Sequence, residues 1–381
     1  MMATINLKVA QLRRQLGMTQ QELGDKLGIS YQSVSKWENQ VTMPDITQLP
    51  LLSRIFEVSV DELLGLKPLP DDFVPSDSGG QTYWADRTEY LKRTRKYYWN
   101  SDYMQFLIDR IWNIRQPVKV LDCACGFGFL GMLMLPLLPE GSTYTGIDFS
   151  GDMLAQARML YQAEGLTAEF ILADVYEAGP VKQYDIVISQ AVLRHVNDGE
   201  GFLNRMIGFA GIGGLIVSIE KNREFEADGM YIDGMDYAKL CSHPGLGQMW
   251  KTEYHKQGRD YAVAMRVPHY MRNAGLTGVE TRMNDRVTLL MPGQEDYGQM
   301  LADLMKAEKW EAEMSREQTE LEITNLMRHG MEQREAEEYC RQQQEVAGFL
   351  HRHREEVAMT LFGGAMVSFG WKQTGNALKN K

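Results

Sequence analysis

The sequence contains few cysteines, no long apolar run and no secretion signal, and each of these shortages excludes a class of protein. Its four cysteines among 381 residues are too few for a disulfide framework. The longest nearly apolar stretch, residues 129–138, is far shorter than the roughly 20 residues that a membrane-spanning helix needs. The N-terminus lacks the apolar segment and small-residue cleavage site of a signal peptide. We therefore expect a cytoplasmic protein with free thiols and no membrane partner.

An excess of positive charge is also missing, which bears on the partners of the chain. The net charge is −11, while residues 1–68 hold seven basic and seven acidic side chains. The excess of acid therefore lies beyond residue 68, where it would repel a polyanionic substrate. Cys123 and Cys125 form a Cys-x-Cys pair with no third ligand nearby, so no metal site is predicted. The length indicates two or three domains, since one domain usually has about 100 to 200 residues.

Residues 5–66 carry the capping and turn signals of five short helices. Thr19 and Glu22 form a capping box, which predicts a helix that begins at Gln20 and ends before Gly28. Ser30 caps the helix that follows. A tight turn therefore separates two short helices.

The same stretch resembles the Cro/C1-type (XRE) DNA-binding domains, through Thr19-Gln20-Gln21-Glu22-Leu23 and Ser35-Lys36-Trp37-Glu38. It departs from the family at Gly24, where Ala is usual, and at Gln40, where Gly is usual. The resemblance implies that a homodimer binds double-stranded DNA with its second short helix in the major groove. The implied DNA-binding residues are Gln20, Gln21, Tyr31, Gln32, Ser33 and Lys36. A helical bundle for dimerisation or protein docking is the alternative, because the segment has no net positive charge.

A second domain begins with a strand, a glycine-bearing turn and a helix. The apolar residues 118–121 lead into Asp122-Cys123-Ala124-Cys125-Gly126-Phe127-Gly128 and then into another apolar run. Glycines in such a turn let a ligand approach the backbone closely. The next two predicted strands end at Asp148 and Asp174, where carboxylates can accept from ribose hydroxyls and from an adenine amino group. Each acid could instead cap a helix, but their occurrence at successive strand ends favours a nucleoside ligand.

Residues 80–295 resemble the class I S-adenosylmethionine-dependent methyltransferases, through this turn, the acids at strand ends and a predicted final hairpin of residues 279–283 and 287–291. The resemblance implies a Rossmann-like seven-stranded sheet, with S-adenosylmethionine as the cofactor and S-adenosylhomocysteine as its product. Ala124 departs from the family, which commonly has Gly at that position. The implied cofactor-binding residues are Asp122, Ala124, Gly126, Gly128, Asp148, Phe149, Met153, Asp174, Val175 and Gln190.

The acceptor is expected to be a small molecule. The Asp/Asn-Pro-Pro-Tyr/Phe loop of DNA amino-methyltransferases is replaced here by Ser189-Gln190-Ala191-Val192. The long segment after the fifth predicted strand offers Tyr231, Asp233 and Tyr237 as substrate residues. His195 is a candidate catalytic base or a structural residue. A group of aromatic residues would either cover the cofactor or pack in the core: Tyr97, Tyr98, Trp99 and Tyr103.

The expected organisation is a helix-turn-helix domain at residues 1–67, a linker at 68–80, a methyltransferase domain at 81–295 and a helical cap or dimerisation region at 296–381. The fold class is α/β, with an all-α N-terminal domain and a helical C-terminal extension. The expected function is methyl transfer to a small molecule, combined with DNA binding that regulates transcription. The alternative is a regulator whose methyltransferase-like domain senses S-adenosylmethionine or a metabolite without turnover.

Overall fold

A computed structural model describes residues 5–56, 58–67, 69, 91, 99–100, 102–179, 183–223, 229–284 and 286–373. The predicted linker, apart from Leu69, lies outside these residues, and so do Tyr97 and Tyr98. The chain divides into two compact units. The first consists of Met1–Pro75, His243–Glu253 and Ala312–Gly348, and the second of Ser76–Ser242, Tyr254–Glu311 and Phe349–Lys381. Every helix in the described ranges is too short or too polar to span a bilayer.

Helices and strands alternate through the middle of the chain, and helices dominate its N-terminal part. The described α-helices are α1 (Val9–Gln15), α2 (Gln20–Leu27), α3 (Tyr31–Glu38), α4 (Leu49–Phe56), α5 (Val60–Leu63), α6 (Tyr103–Phe106), α7 (Phe129–Met134), α8 (Gly151–Ala163), α9 (Gly199–Phe209), α10 (Tyr237–Leu240), α11 (Leu246–Gln257), α12 (Val263–Asn273), α13 (Tyr297–Ala307), α14 (Arg316–Arg328) and α15 (Gln333–Arg352). The described strands are β1 (Lys119–Cys123), β2 (Thr143–Asp148), β3 (Glu169–Leu172), β4 (Tyr184–Gln190), β5 (Ala210–Lys221), β6 (Met230–Ile232), β7 (Thr277–Met283), β8 (Val287–Leu290), β9 (Met359–Phe362) and β10 (Ala365–Trp371).

Capping interactions define the ends of the first helices. Thr19 Oγ1 accepts from the Glu22 N–H at 3.2 Å, and Glu22 Oε2 accepts from the Thr19 N–H at 2.6 Å. Gly28 ends α2 with a left-handed φ of 68°. Ser30 caps α3 by accepting from the Ser33 N–H at 3.3 Å. The helix boundaries around the predicted turn therefore follow from local side-chain chemistry.

One apolar core, drawn from residues 7–69, holds α1 to α5 together. Its buried members include Leu23, Val34, Trp37 and Leu52. At its edge, Glu38 accepts from Arg13 Nε at 2.5 Å and from Gln20 Nε2 at 2.7 Å. This carboxylate connects α1, α2 and α3, and the Arg13 guanidinium contributes to holding the pKa of Glu38 below its ordinary value against the effect of burial.

Segments far along the chain complete the first unit. Lys67 Nζ lies 3.0 Å from Glu332 Oε1, and the Gln333 N–H donates to the Leu66 carbonyl oxygen at 2.9 Å. Leu326 of α14 and Cys340 of α15 are buried in a second small apolar cluster of this unit. The predicted helical region therefore contributes structure to the unit that contains α1 to α5.

The second unit is built on a seven-stranded sheet of order β3-β2-β1-β4-β5-β10-β7. Strands β1 to β5 pair in parallel, whereas β10 is antiparallel to both β5 and β7. Apolar side chains fill both faces: Val120 and Ile186 belong to one core, and Leu121 and Val187 to the other. The predicted Rossmann-like sheet is thus present, and the carboxyl ends of its parallel strands meet at one edge.

The predicted final hairpin is wrong. β7 pairs with β10, where Met366 lies opposite Met283, while β8 belongs to a separate sheet of order β6-β9-β8. The antiparallel strand beside β5 comes from the C-terminal part of the chain, in which Val367 and Phe369 are fully buried. Nearness in sequence favours a hairpin. Here the burial of these two side chains between neighbouring strands determines the pairing.

Candidate functional site

A cavity of about 220 Å³ opens at the carboxyl ends of β1, β2, β3 and β4. This position is the one in which open α/β sheets bind ligands. Nine of the ten predicted cofactor residues line it: Asp122, Ala124, Gly126, Asp148, Phe149, Met153, Asp174, Val175 and Gln190. His195 lines it as well, whereas Gly128 does not. Four consecutive strand ends therefore contribute to one pocket.

The turn after β1 takes a left-handed backbone at alternate residues. The φ angles are 58° at Ala124, 55° at Gly126 and 79° at Gly128. A Cβ at Gly126 would lie 3.1 Å from Met153 Cε, so a side chain there would crowd the cavity wall. Ala124 occupies a conformation that suits glycine, which gives a physical reason for the glycine that the family commonly has at this position.

Asp148 is buried at the end of β2, with both carboxylate oxygens held by backbone donors. Oδ2 accepts from the Gly126 N–H and Oδ1 from the Ser150 N–H, both at 2.8 Å. Each carboxylate oxygen can accept a further bond, so the group can still accept from two hydroxyls. Burial raises the pKa of Asp148 above its ordinary value, although the backbone donors oppose that effect. The carboxylate is oriented before any ligand binds.

Asp122 is connected to the turn through two stacked tyrosines. Its Oδ2 accepts from the Tyr144 hydroxyl at 2.6 Å, and the ring of Tyr144 stacks on Tyr161 with centroids 5.9 Å apart. The Tyr161 hydroxyl donates to the Gly128 carbonyl oxygen at 2.8 Å, and a Cβ at Gly128 would lie 2.8 Å from the Tyr161 ring. Gly128 thus permits close packing on Tyr161. The aromatic pair holds the turn in shape.

Asp174 follows β3 and lies at the exposed side of the cavity. Its Oδ1 accepts from the Tyr176 N–H at 2.8 Å, which forms a local turn. Tyr176 also lines the cavity, and its hydroxyl donates to the Asp198 carbonyl oxygen at 2.7 Å. Burial, with Asp198 and Asp174 nearby, raises the pKa of Tyr176 to about 12. Tyr176 therefore stays neutral over the physiological range.

Gln190 ends β4 and connects the cavity to the aromatic segment. Its Oε1 accepts from Trp99 Nε1 at 3.4 Å. Trp99 is buried in the core on that face of the sheet and stacks on Tyr103, with centroids 6.1 Å apart. Trp99 packs in the core, and Tyr97 and Tyr98 lie outside the described residues. Ala191, the next residue, has a φ of 57°, so strained backbone also occurs at this strand end.

His195 lies between two arginines. Arg194 Nε donates to Nε2 at 3.0 Å, and Arg259 Nη2 lies 3.3 Å from Nδ1. Arg259 is only 6% exposed and also donates to the Arg194 carbonyl oxygen at 3.1 Å. A proton taken up by His195 would add positive charge between two guanidinium groups. The role of His195 as a base stays a prediction.

The predicted substrate residues do not line this cavity. Tyr231 lies on β6, Asp233 follows it, and Tyr237 begins α10. The two tyrosine rings are 6.1 Å apart, and the Tyr231 hydroxyl donates to Asp233 Oδ1 at 3.2 Å. They form a group of their own beside the three-stranded sheet.

Several lining residues were absent from the sequence-based set: Leu91, Cys125, Phe127, Phe129, Leu130, Ala173, Tyr176, Ala191, Val192, Val196 and Phe202. Most are apolar residues adjacent to predicted ones, and a search that included every residue of each strand-end loop would have found them. Burial raises the pKa of the Cys125 thiol well above its ordinary value. The thiol therefore stays neutral and forms part of the apolar lining of the cavity. No group of three potential metal ligands occurs within the described ranges.

The predicted DNA-binding residues lie on α2 and α3 of the first unit. Tyr31, Gln32 and Lys36 are exposed on α3, while Ser33 is half-buried beside Ser30. Gln21 is exposed and donates to Asp25 Oδ1 at 2.8 Å, whereas Gln20 is bound to Glu38. Gln40 has a φ of 57°, a conformation that favours the glycine usual there. The outward face of α3 is thus open.

Two regions of the chain match models of known families. Residues 9–63 match the family described as Helix-turn-helix, and residues 120–214 match the family described as Methyltransferase domain. Among curated proteins, a ubiquinone biosynthesis O-methyltransferase of Bradyrhizobium sp. (strain ORS 278) is 28% identical over 33% of this chain and 48% of its own length. The corresponding protein of Klebsiella pneumoniae is 31% identical over 31% of this chain and 49% of its own length. The chain therefore spans about half the length of these curated relatives.

A solved structure gives a weaker similarity. Phosphoethanolamine N-methyltransferase 2 of Haemonchus contortus, in complex with S-adenosyl-L-methionine, aligns with a TM-score of 0.42 and 14% identity. The alignment covers 77% of this chain and 60% of that chain.

Proposed function

We propose that the protein binds S-adenosylmethionine in the cavity of its second unit and methylates a small molecule, because residues 9–63 match the Helix-turn-helix family and residues 120–214 match the Methyltransferase domain family. The observation that carries the proposal is that Asp148 and Asp174, at the ends of β2 and β3, line the same cavity as the glycine-bearing turn. The curated relatives are O-methyltransferases of ubiquinone biosynthesis, which supports a small-molecule acceptor.

The residues around the cavity suit the parts of this cofactor. Asp148 accepts hydrogen bonds from the ribose hydroxyls. Each of its carboxylate oxygens already accepts one bond from a backbone N–H and can accept a second. Phe149 and Met153 pack on the adenine, and Asp174 accepts from its amino group. S-Adenosylmethionine supplies a methyl group on a positively charged sulfur and leaves as S-adenosylhomocysteine. The protein contributes mainly position and orientation.

Calorimetry with the full-length protein tests this assignment. We expect S-adenosylmethionine to bind, and Asp148→Ala to weaken binding about 100-fold or more, because two hydrogen bonds to a charged group are lost. Asp152→Ala is the matched control, since Asp152 is an exposed acid on the first turn of α8. Unchanged affinity in Asp148→Ala would refute the placement of the ribose, and no binding at millimolar cofactor would refute the function.

The helix-turn-helix domain supports a second activity, binding of double-stranded DNA by a homodimer. The supporting observation is the exposed side chains of Tyr31, Gln32 and Lys36 on α3, the helix that enters the major groove in such domains. Selection from random duplexes should enrich a twofold-symmetric site, because each half-site needs one domain. A monomer in light scattering that still protects a palindrome would contradict the dimer.

Two lysines allow a matched test of the DNA-contacting face. Lys36→Ala should weaken binding and reduce the slope of log affinity against log salt, because one positive charge is lost from the helix that faces the groove. Lys26→Ala, on the last turn of α2, is the control for charge alone. Equal losses in both variants would show that α3 has no special role.

The presence of the helix-turn-helix domain also favours a second candidate, a regulator that binds S-adenosylmethionine without turnover. The two candidates differ in whether methyl is transferred. Tritiated-methyl transfer into the small-molecule fraction of a cell extract supports the enzyme. Cofactor-dependent DNA affinity without any labelled product supports the regulator, and label in DNA or large RNA contradicts both.

A further inference from the structure

The loop that follows β3 forms a single turn on one face of the main sheet. β3 is an edge strand of that sheet, and Val175 and Ala178 of the loop pack in the apolar core that α9 also enters. The N–H groups of Glu177 and Ala178 donate to the Asp174 carbonyl oxygen at 3.1 and 2.8 Å. A turn this short leaves its later carbonyl oxygens without helical donors, so they need partners from elsewhere.

Arg205 of α9 supplies those donors. Its Nε donates to the Val175 carbonyl oxygen at 3.3 Å, and its Nη2 donates to the Ala178 carbonyl oxygen. The guanidinium also lies over the ring of the buried Phe209, 5.7 Å from the ring centroid. Because a guanidinium carries five N–H donors in a fixed plane, one side chain can bind two carbonyl oxygens of the same turn. Arg205 thus attaches the loop to α9.

The peptide group between Val175 and Tyr176 is hydrogen-bonded on both sides. Its carbonyl oxygen accepts from Arg205, and its N–H donates to Asp174 Oδ1 at 2.8 Å. The position of this peptide therefore sets the orientation of the Asp174 carboxylate, which lines the cavity. Arg205 does not line the cavity and acts on the carboxylate through this one peptide.

The Tyr176 side chain attaches the same loop to α9 a second time. Its hydroxyl donates to the carbonyl oxygen of Asp198, the residue that caps α9, and its ring meets Phe202 of α9 edge to face at 5.6 Å. Tyr176 and Phe202 both line the cavity. The loop after β3 and the first turn of α9 consequently form one continuous wall.

We propose that Arg205 is a positioning residue that sets the preference of the cavity for adenine over other bases. This inference rests on the proposed function, in which Asp174 accepts from the adenine amino group. A base with an oxygen in place of that amino group has no proton to donate there, and its oxygen faces a carboxylate. A carboxylate that can turn away tolerates the wrong base, whereas one that is held in place rejects it. Arg205 holds it by fixing the peptide that binds Oδ1.

Two ligands that differ only in the base test the proposal without turnover. S-Inosylhomocysteine carries an oxygen where S-adenosylhomocysteine carries the amino group, and the rest of the two molecules is the same. Calorimetry with the full-length protein gives the ratio of their dissociation constants. We expect the unaltered protein to bind S-adenosylhomocysteine about tenfold more tightly or better, as a hydrogen bond to a charged group predicts. Equal affinities would overturn the inference.

Variants of Arg205 separate positioning from support of the fold. Arg205→Met removes the donors and should lower the ratio about threefold or more, the size expected for loss of a hydrogen bond that holds another group. Arg205→Lys keeps one donor group and should give an intermediate ratio. Arg158→Met is the matched control, because the exposed Arg158 of α8 donates to the Phe170 carbonyl oxygen of β3 at 3.0 Å, and it should leave the ratio unchanged.

The outcomes distinguish this inference from the function on which it rests. Equal weakening of both ligands in Arg205→Met would overturn the inference, because Arg205 would then only support the fold. If circular dichroism shows that Arg205→Met is unfolded, Arg205→Lys decides: an intermediate ratio supports the inference and an unchanged ratio overturns it. If S-adenosylhomocysteine does not bind the unaltered protein, the proposed function fails; if it binds and the ratio does not depend on Arg205, only this inference fails.

Discussion

Two alanines on the cavity wall adopt a backbone conformation that alanine disfavours. Ala124 and Ala191 have φ angles of 58° and 57°, and they follow β1 and β4. A left-handed conformation costs an L-residue with a Cβ roughly 1 to 2 kcal/mol. Such strain is concentrated at functional sites, where the surrounding structure holds it in place. Here it sets the direction in which the strand-end loops leave the sheet.

Replacing Ala124 by glycine should therefore stabilise the protein. We expect Ala124→Gly to raise the free energy of unfolding by about 0.5 to 1 kcal/mol, since relief of strain exceeds the added flexibility of the unfolded chain. Urea unfolding followed by tryptophan fluorescence measures it. Ala173→Gly is the control, because Ala173 lines the same cavity without a positive φ. Glycine at that position should lower the free energy of unfolding by roughly 0.5 to 1 kcal/mol. A lower free energy of unfolding in both variants would show that the backbone at Ala124 is not strained.

The raised pKa of Asp148 predicts a pH dependence of cofactor binding. In the proposed complex the ribose hydroxyls donate to the ionised carboxylate, so affinity should fall as the pH falls through the pKa of Asp148. Because burial raises that pKa above the ordinary 3.8, the loss should begin at a higher pH than for an exposed aspartate. Calorimetry over a mildly acidic range checks this, and in Asp148→Asn the weaker binding should no longer change with pH. If affinity depends on pH equally in the unaltered protein and in Asp148→Asn, the group that titrates is not Asp148.

At the scale of elements, the C-terminal strand β10 belongs to the main sheet, whereas β8 does not. Phe369 of β10 is fully buried, while Leu289 of β8 is 52% exposed. Phe369→Ala should lower the free energy of unfolding by about 3 to 5 kcal/mol, and Leu289→Ala by no more than about 0.5 kcal/mol. Chemical denaturation of both variants measures the difference. Similar losses would mean that β8, as in the predicted hairpin, has the structural role of β10.

The elements also show which sequence signals were reliable. The capping box of Thr19 and Glu22 and the strand that leads into Asp122 are local patterns, and both elements form where they are predicted. The hairpin failed because two apolar segments close in sequence can each pair with a distant strand. Similarly, the contact of Trp99 with Gln190 joins residues 91 positions apart, and no local pattern indicates it.

At the scale of the whole molecule, the first unit contains a core that needs no distant segment. All buried members of the core around Trp37 come from residues 7–69. The link between Lys67 and Glu332 is half-exposed and contributes at most about 1 kcal/mol. A fragment of residues 1–75 should therefore show a helical circular dichroism spectrum and melt cooperatively. A spectrum of unfolded chain would mean that residues 243–253 and 312–348 are required for the fold.

The sequence by itself determined the two kinds of domain, and the matches at residues 9–63 and 120–214 confirm that combination. The cofactor turn stays a prediction. The sequence could determine the domains because capping, hydrophobic periodicity and acids at strand ends are local signals. Only the tertiary structure decided that β10 lies between β5 and β7, that two arginines flank His195 and that Arg205 binds the loop after β3. Each of these depends on contacts between residues far apart in sequence, whose burial and geometry are set by the packed fold rather than by any one segment.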